Sequence, residues 1–159
     1  MWGTLDDRKR EARKGVLNLI SAGEVPNPEA LAGALGVSAA AARQLLDGLV
    51  AKGFAVRDAA NGAIAAAYPL SVRPTRHRVT LESGPMVHAL CAVDALGVSP
   101  LFGVSVAIEA RCPHCEQAIR LLVQKSQILS REPPSAVLWY SMADLLEKRV
   151  EGLNLSKEH

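Results

Sequence analysis

The stretch Asn27-Pro28-Glu29-Ala30-Leu31-Ala32-Gly33-Ala34-Leu35-Gly36-Val37-Ser38 reads as a short helix, a glycine stop and the cap of the next helix. Asn27 supplies an N-cap with Pro28 at the first helical position, and Leu31, Ala34 and Leu35 line one face up to Gly36. Ser38 caps a following helix whose Ala42, Leu45, Leu46, Leu49 and Val50 form an apolar stripe ending near Gly53. Upstream, Ala12, Val16, Leu19 and Ile20 recur at helical spacing between Asp7 and Ala22. Two helices joined by a glycine turn predict a helix-turn-helix. Phe54-Ala55-Val56-Arg57 and Ala63-Ile64-Ala65-Ala66-Ala67-Tyr68 flank Asn61-Gly62, a dipeptide suited to tight hairpins. A hairpin there makes the first unit, residues 1–74, winged-helix-like.

Pro69 and Pro74 interrupt regular structure and predict a linker near residues 69–75. Beyond it, residues 75–159 read as a second unit. Arg76 to Leu81 reads as an edge strand. Ser83-Gly84-Pro85 reads as the start of a helix carrying Val87, Leu90, Cys91 and Leu96, with Cys91 in its second turn and the end at Gly97 and Pro100. Val104 to Ala110 alternates like a half-exposed strand, Cys112-Pro113-His114-Cys115 forms a turn, and Ala118 to Val123 returns as the paired strand. Ala136 to Tyr140 is expected as a further strand and Met142 to Val150 as a closing helix, with a frayed tail from Glu151. The fold class is therefore α+β.

The chain has 159 residues, 49% hydrophobic, 21% charged and 4% aromatic, with abundant Ala, which fits a globular protein rich in helices and small side chains. No apolar run approaches the ~20 residues that cross a bilayer, and the first residues lack a signal-peptide core, so the expected location is the cytoplasm with no membrane partner. Cys91, Cys112 and Cys115 are too few and odd in number for a disulfide framework. Residues 1–80 hold 11 Lys and Arg against 7 Asp and Glu, an excess of four positive charges that permits DNA binding without requiring it. The presumed recognition helix begins Ser38-Ala39-Ala40-Ala41-Ala42-Arg43-Gln44, and four alanines leave little with which to read base edges.

Cys91 and Asp94 put a thiol and a carboxylate one helical turn apart, close enough to share a proton or a ligand. A thiol in an apolar helix is also commonly a small packed hydrophobe. Cys112-Pro113-His114-Cys115 has the spacing of a thiolate knuckle and supplies half of a zinc site; Cys91, His77 or His88 would have to complete it through the fold. His77 and His88 are otherwise read as surface or packed histidines.

Taken in order, Leu31 to Leu35, the Asn61-Gly62 wing, Cys91-Ala92-x-Asp94-x-Leu96, Pro100-Leu101-x-Gly103 and Cys112 resemble the organomercurial (alkylmercury) lyases from about Gly23 to Leu138. The resemblance implies a lyase-like second unit of antiparallel strands with flanking helices, and protonolysis of a carbon–mercury bond without a required cofactor. Cys91 would be the mercury-binding thiolate and Asp94 the acid that takes the thiol proton and returns it to carbon. Cys112 would match a non-catalytic family cysteine, and Cys115 has no counterpart. Family members also carry a second catalytic cysteine downstream, whereas no Cys follows Cys115 here. Impaired activity is accordingly expected, unless Cys112, Cys115 or a small thiol substitutes. The metal set expected from the three cysteines is Cys91, Cys112 and Cys115, taking mercury, zinc or another thiophilic ion. The alternative is a non-enzymatic, metal-responsive winged-helix regulator.

Overall fold

In the computed structural model, residues 5–82 and 84–138 are described. Three helices come first: α1 (Asp7–Ser21), α2 (Pro28–Leu35) and α3 (Ala39–Ala51). Each begins where a side-chain oxygen satisfies an orphan amide: Asp6 accepts from Lys9 N at 2.9 Å, Asn27 from Ala30 N at 2.8 Å and Ser38 from Ala41 N at 3.2 Å. Gly36 ends α2 at φ 66°, in the left-handed region where a side chain is disfavoured.

The strands are β1 (Ala55–Arg57), β2 (Ile64–Ala67), β3 (Leu70–Ser71), β4 (His77–Leu81), β5 (Met86–Ala89), β6 (Val106–Arg111), β7 (Ala118–Gln124) and β8 (Gln127–Glu132). Helix α4 (Ala92–Phe102) lies between β5 and β6 in the chain. All eight strands form one antiparallel sheet in the order β1-β2-β3-β5-β4-β6-β7-β8. Helix α1 packs on β2, β3 and β5, and α4 on β4 through β7. One buried cluster runs from Val16 and Leu31 through Leu70 to Val79, Val98 and Val123. Alternation along β4 and β6 sends Val79, Val106 and Ile108 inward and leaves Arg78 and Glu109 exposed.

Several expectations are corrected. Residues 86–89 are a strand, not the opening of a helix. Val87 and Ala89 are buried at alternate positions, and β5 gains ladder bonds on both sides, from β3 and β4. Strand β4 is interior, between β5 and β6, rather than an edge. The stretch 69–75 carries β3, which links β2 to β5. Pro100 sits inside α4 instead of ending it; Gly103, at φ 70°, is the terminator. Residues 136–138 are not a strand, and the rest of that expected strand and the helix expected over 142–150 lie outside the described residues. Strand β7 pairs with β6 as expected, and the further strand on its other side is β8, reached through Lys125 and Ser126, both at positive φ. Two consecutive left-handed residues make the tight turn natural to hairpins, but Lys-Ser carries none of the usual sequence signal for it.

Candidate active site

Strand β5 delivers the chain to Cys91, and the loop before β4 fixes its exit. Thr75 donates from N to His88 Nδ1 at 3.1 Å and from Oγ1 to Ala89 O at 2.6 Å, while Leu90 N donates to Pro69 O at 3.2 Å. Sequence reasoning missed Thr75 and Pro69, because these are non-local contacts that no spacing rule reports.

Cys91 is the N-cap of α4, with extended φ and ψ of −150° and 178°, rather than a residue of the second turn. The shift leaves the thiol–carboxylate pairing intact, since an N-cap side chain faces the third helical residue. Asp94 N donates to Cys91 Sγ at 3.4 Å, and the Cys91 thiol donates to Asp94 Oδ2 at 3.1 Å. The N-cap sulfur thus accepts from the amide of the third helical residue, while the carboxylate of that residue accepts from the thiol itself. Both residues are half-buried, so the thiol is neither sealed in the core nor fully solvated.

Two influences compete at this sulfur. Amides at a helix start favour thiolate, but burial and the Asp94 charge favour the protonated form. The second pair dominates, and the thiol is pushed up to about 11. Burial likewise raises the Asp94 carboxyl above its ordinary value, opposed by the hydrogen bond from Cys91. In the resting pair the thiol keeps its proton at neutral pH and donates it to Asp94 Oδ2.

Cys112 and Cys115 sit at the tip of the β6–β7 hairpin, as expected from the turn reading. Backbone N–H groups of Cys115 and His114 and the Cys115 thiol all hydrogen-bond to Cys112, which holds its thiol below the ordinary value. Among the described residues no three His, Cys, Asp or Glu side chains stand together as a metal-holding group. Cys91 is therefore not gathered with Cys112 and Cys115 into one such set, and among the described residues the hairpin thiols are not joined by the further ligands that a tetrahedral zinc site needs. His77 and His88 do not complete it: His88 accepts from Thr75, and His77 Nδ1 is buried without a partner.

The opposite protonation tendencies give a direct test. With iodoacetamide and peptide mapping across a pH series, Cys112 is expected to alkylate well before Cys91, whose labelling should rise only in strongly alkaline solution. Equal labelling of the two at pH 8 would contradict the burial and pairing described for Cys91.

Two surface grooves lie away from the pair. One of about 380 Å³ runs between α1 and α2, and one of about 420 Å³ lies beside the hairpin, lined by Arg76, Arg78, Glu109, Arg111, Glu116 and Arg120 among others. The second follows a charged row across the sheet, Arg78–Glu109–Arg120–Glu132, whose ion pairs Arg78–Glu109 and Arg120–Glu132 are each 3.5 Å. These pairs are exposed and contribute little to stability.

An α+β chain with a thiol–carboxylate pair at a helix start is the class these features define. The family model for alkylmercury lyase (MerB) matches residues 70–152, just over half of the sequence, and the chain belongs to that family. It is 41% identical over 69 residues to an alkylmercury lyase of Bacillus cereus, covering 43% of this chain and 31% of the relative. An alkylmercury lyase of Staphylococcus epidermidis is 35% identical over 71 residues, covering 45% and 32% respectively. The chain thus matches about a third of the length of these curated relatives. The solved mercury-bound form of MerB2 superposes with a TM-score of 0.67 at 23% identity, over 83% of this chain and 63% of that one, which establishes a shared fold.

Proposed function

We propose that this protein cleaves carbon–mercury bonds by protonolysis, with Cys91 as the mercury-binding sulfur and Asp94 as the proton carrier. The observation that supports it is the 3.1 Å contact between Cys91 Sγ and Asp94 Oδ2 in a chain of the alkylmercury lyase family. Mercury is a soft electrophile that sulfur binds in preference to oxygen. As an organomercurial cation R–Hg⁺ meets Cys91, the S–H bond breaks, the S–Hg bond forms, and the proton passes to the Asp94 carboxylate. A second thiolate, from a small thiol in solution, then adds to mercury and raises the electron density on carbon. The C–Hg bond breaks, its electron pair takes the Asp94 proton, RH departs, and mercuric ion remains between two sulfurs with Asp94 ionised again. Burial suits both halves of the cycle, because a raised carboxyl holds the borrowed proton and a water-poor site strengthens its transfer.

We read residues 1–74 as a winged-helix-like unit and 75–159 as the lyase-like unit, the first serving as scaffold. DNA recognition gains no support from the wing. Arg57, the cation on the first strand of the wing, is engaged by Asp47 at 2.6 Å and by Gly62 O at 2.8 Å. The test of the lyase reading is incubation with an organomercurial and excess small thiol, following release of the hydrocarbon. Release is expected, and Cys91→Ala should abolish it; turnover undiminished in Cys91→Ala, or none in the unaltered protein, refutes the assignment.

A further inference from the structure

We propose that Thr75 is a positioning residue for Cys91: its hydroxyl clamps the peptide plane that delivers Cys91 to α4, and so holds the thiol against Asp94. The plane is the one that joins Ala89 to Leu90. Its carbonyl, Ala89 O, accepts from Thr75 Oγ1 at 2.6 Å, and its amide, Leu90 N, donates to Pro69 O at 3.2 Å. In a trans peptide the C=O and N–H point in opposite directions, so these two bonds fix one rigid unit from both sides. Beyond Cys91, Ala95 N donates to Cys91 O at 2.9 Å and closes the first turn of α4. Cys91 therefore hangs between a clamped plane and a helix start. Only the φ and ψ rotations of Leu90 separate the clamp from its Cα.

The hydroxyl is itself held in place. Thr75 Oγ1 accepts from His77 N at 3.2 Å, and Thr75 N donates to His88 Nδ1 at 3.1 Å. Of the two carbonyls within reach of the hydroxyl, His77 O lies at 3.4 Å and Ala89 O at 2.6 Å, and the nearer one takes the proton. His77 and Ala89 face each other in the register of β4 and β5, so the hydroxyl stands between the amide of one strand and the carbonyl of the other. Ala89 is 0% exposed, which leaves water poorly placed to take the part of the hydroxyl.

The thiol depends on that placement. Its 3.1 Å contact with Asp94 Oδ2 is short-ranged, and burial together with the Asp94 charge keeps the proton on sulfur. An exit free to rotate admits water and loosens the contact, which weakens both influences. Transfer of the proton between sulfur, carboxylate and carbon is equally sensitive to the alignment of the pair.

Thr75→Val keeps the branched shape and deletes the hydroxyl. In the full chain, the pH midpoint of Cys91 alkylation by iodoacetamide is expected to fall by about one unit, the scale of a single hydrogen bond. Hydrocarbon release at saturating organomercurial should slow by about tenfold. Cys112 labelling should not move, and Thr75→Ser, which retains the hydroxyl, should match the unaltered protein in both readouts. A role in stability alone would lower the melting temperature and leave both readouts of the folded protein in place. Thr75→Ala carries the same expectation as the valine change, so a single variant that fails to fold does not decide the outcome. A hydroxyl-free variant that is folded by circular dichroism and leaves either readout unchanged overturns the proposal, as does a serine variant that behaves like valine. The rate readout rests on the lyase reading, whereas the labelling needs no organomercurial. If the unaltered protein releases no hydrocarbon, that reading fails, and the Cys91 labelling profile still decides the role of Thr75.

Discussion

Replacing Asp94 with Asn should leave stoichiometric capture of an organomercurial intact while lowering the cleavage rate by about 10²- to 10⁴-fold, the usual contribution of a positioned proton carrier. The amide occupies the volume of the carboxyl but neither accepts the Cys91 proton nor returns one to carbon. Its removal also takes away the negative charge that helps hold the thiol near 11, so the labelling midpoint of Cys91 should move to lower pH. The sign of that second effect separates two roles. If Asp94 only shaped the helix start, Asn would preserve the fold, the thiol and the rate together. A carrier role demands a more ionisable thiol and a slower reaction in the same variant. The pair of measurements is single-turnover hydrocarbon release and the pH profile of Cys91 alkylation. Wild-type turnover with a down-shifted thiol would remove Asp94 from the chemistry.

The chemistry was more legible in the sequence than the local geometry that delivers it. Cys91 and Asp94 stand three apart, and that spacing pairs them whether the cysteine lies within a helix or caps one. Its actual place depends on β5, and four residues, Met86 to Ala89, are too few for periodicity to separate a buried strand from a helix start. The caps of α2 and α3 were readable because Asn27 and Ser38 act on amides only three residues away. By contrast, the interior position of β4 is set by partners on two other strands, such as His88 and Glu109 on either side of Arg78, and no local pattern in Arg76 to Leu81 contains that information. Strand β8 was missed for a related reason. Every one of its residues is exposed, so burial left no apolar alternation for the eye to follow. The two thiols of the hairpin were found by spacing, whereas the failure of Cys91 to join them is a property of the fold.

Leu70→Ala is expected to cost about 2–5 kcal/mol, a large share of the ~5–15 kcal/mol that typically separates a folded domain from its unfolded chain. Leu70 is 0% exposed, and its two-residue strand pairs with β2 through Ala67 and with β5 through Ala89. It stands at the join between the two sequence units, in the same buried cluster as Val16 and Leu31 on one side and Val79 and Val98 on the other. Truncation leaves a cavity where helical and strand packing meet, and because the sheet is continuous there, the loss should be felt on both sides. Urea unfolding can be read by helical circular dichroism, to which α1, α2 and α3 contribute more residues than α4, and by exposure of Cys91 to a thiol reagent, which reports the second unit. Coincident transitions are expected, shifted together by the substitution. If the helical signal moved while Cys91 protection stayed put, the first 74 residues would be an independently stable body, and the short strand β3 would be a tether instead of a shared core.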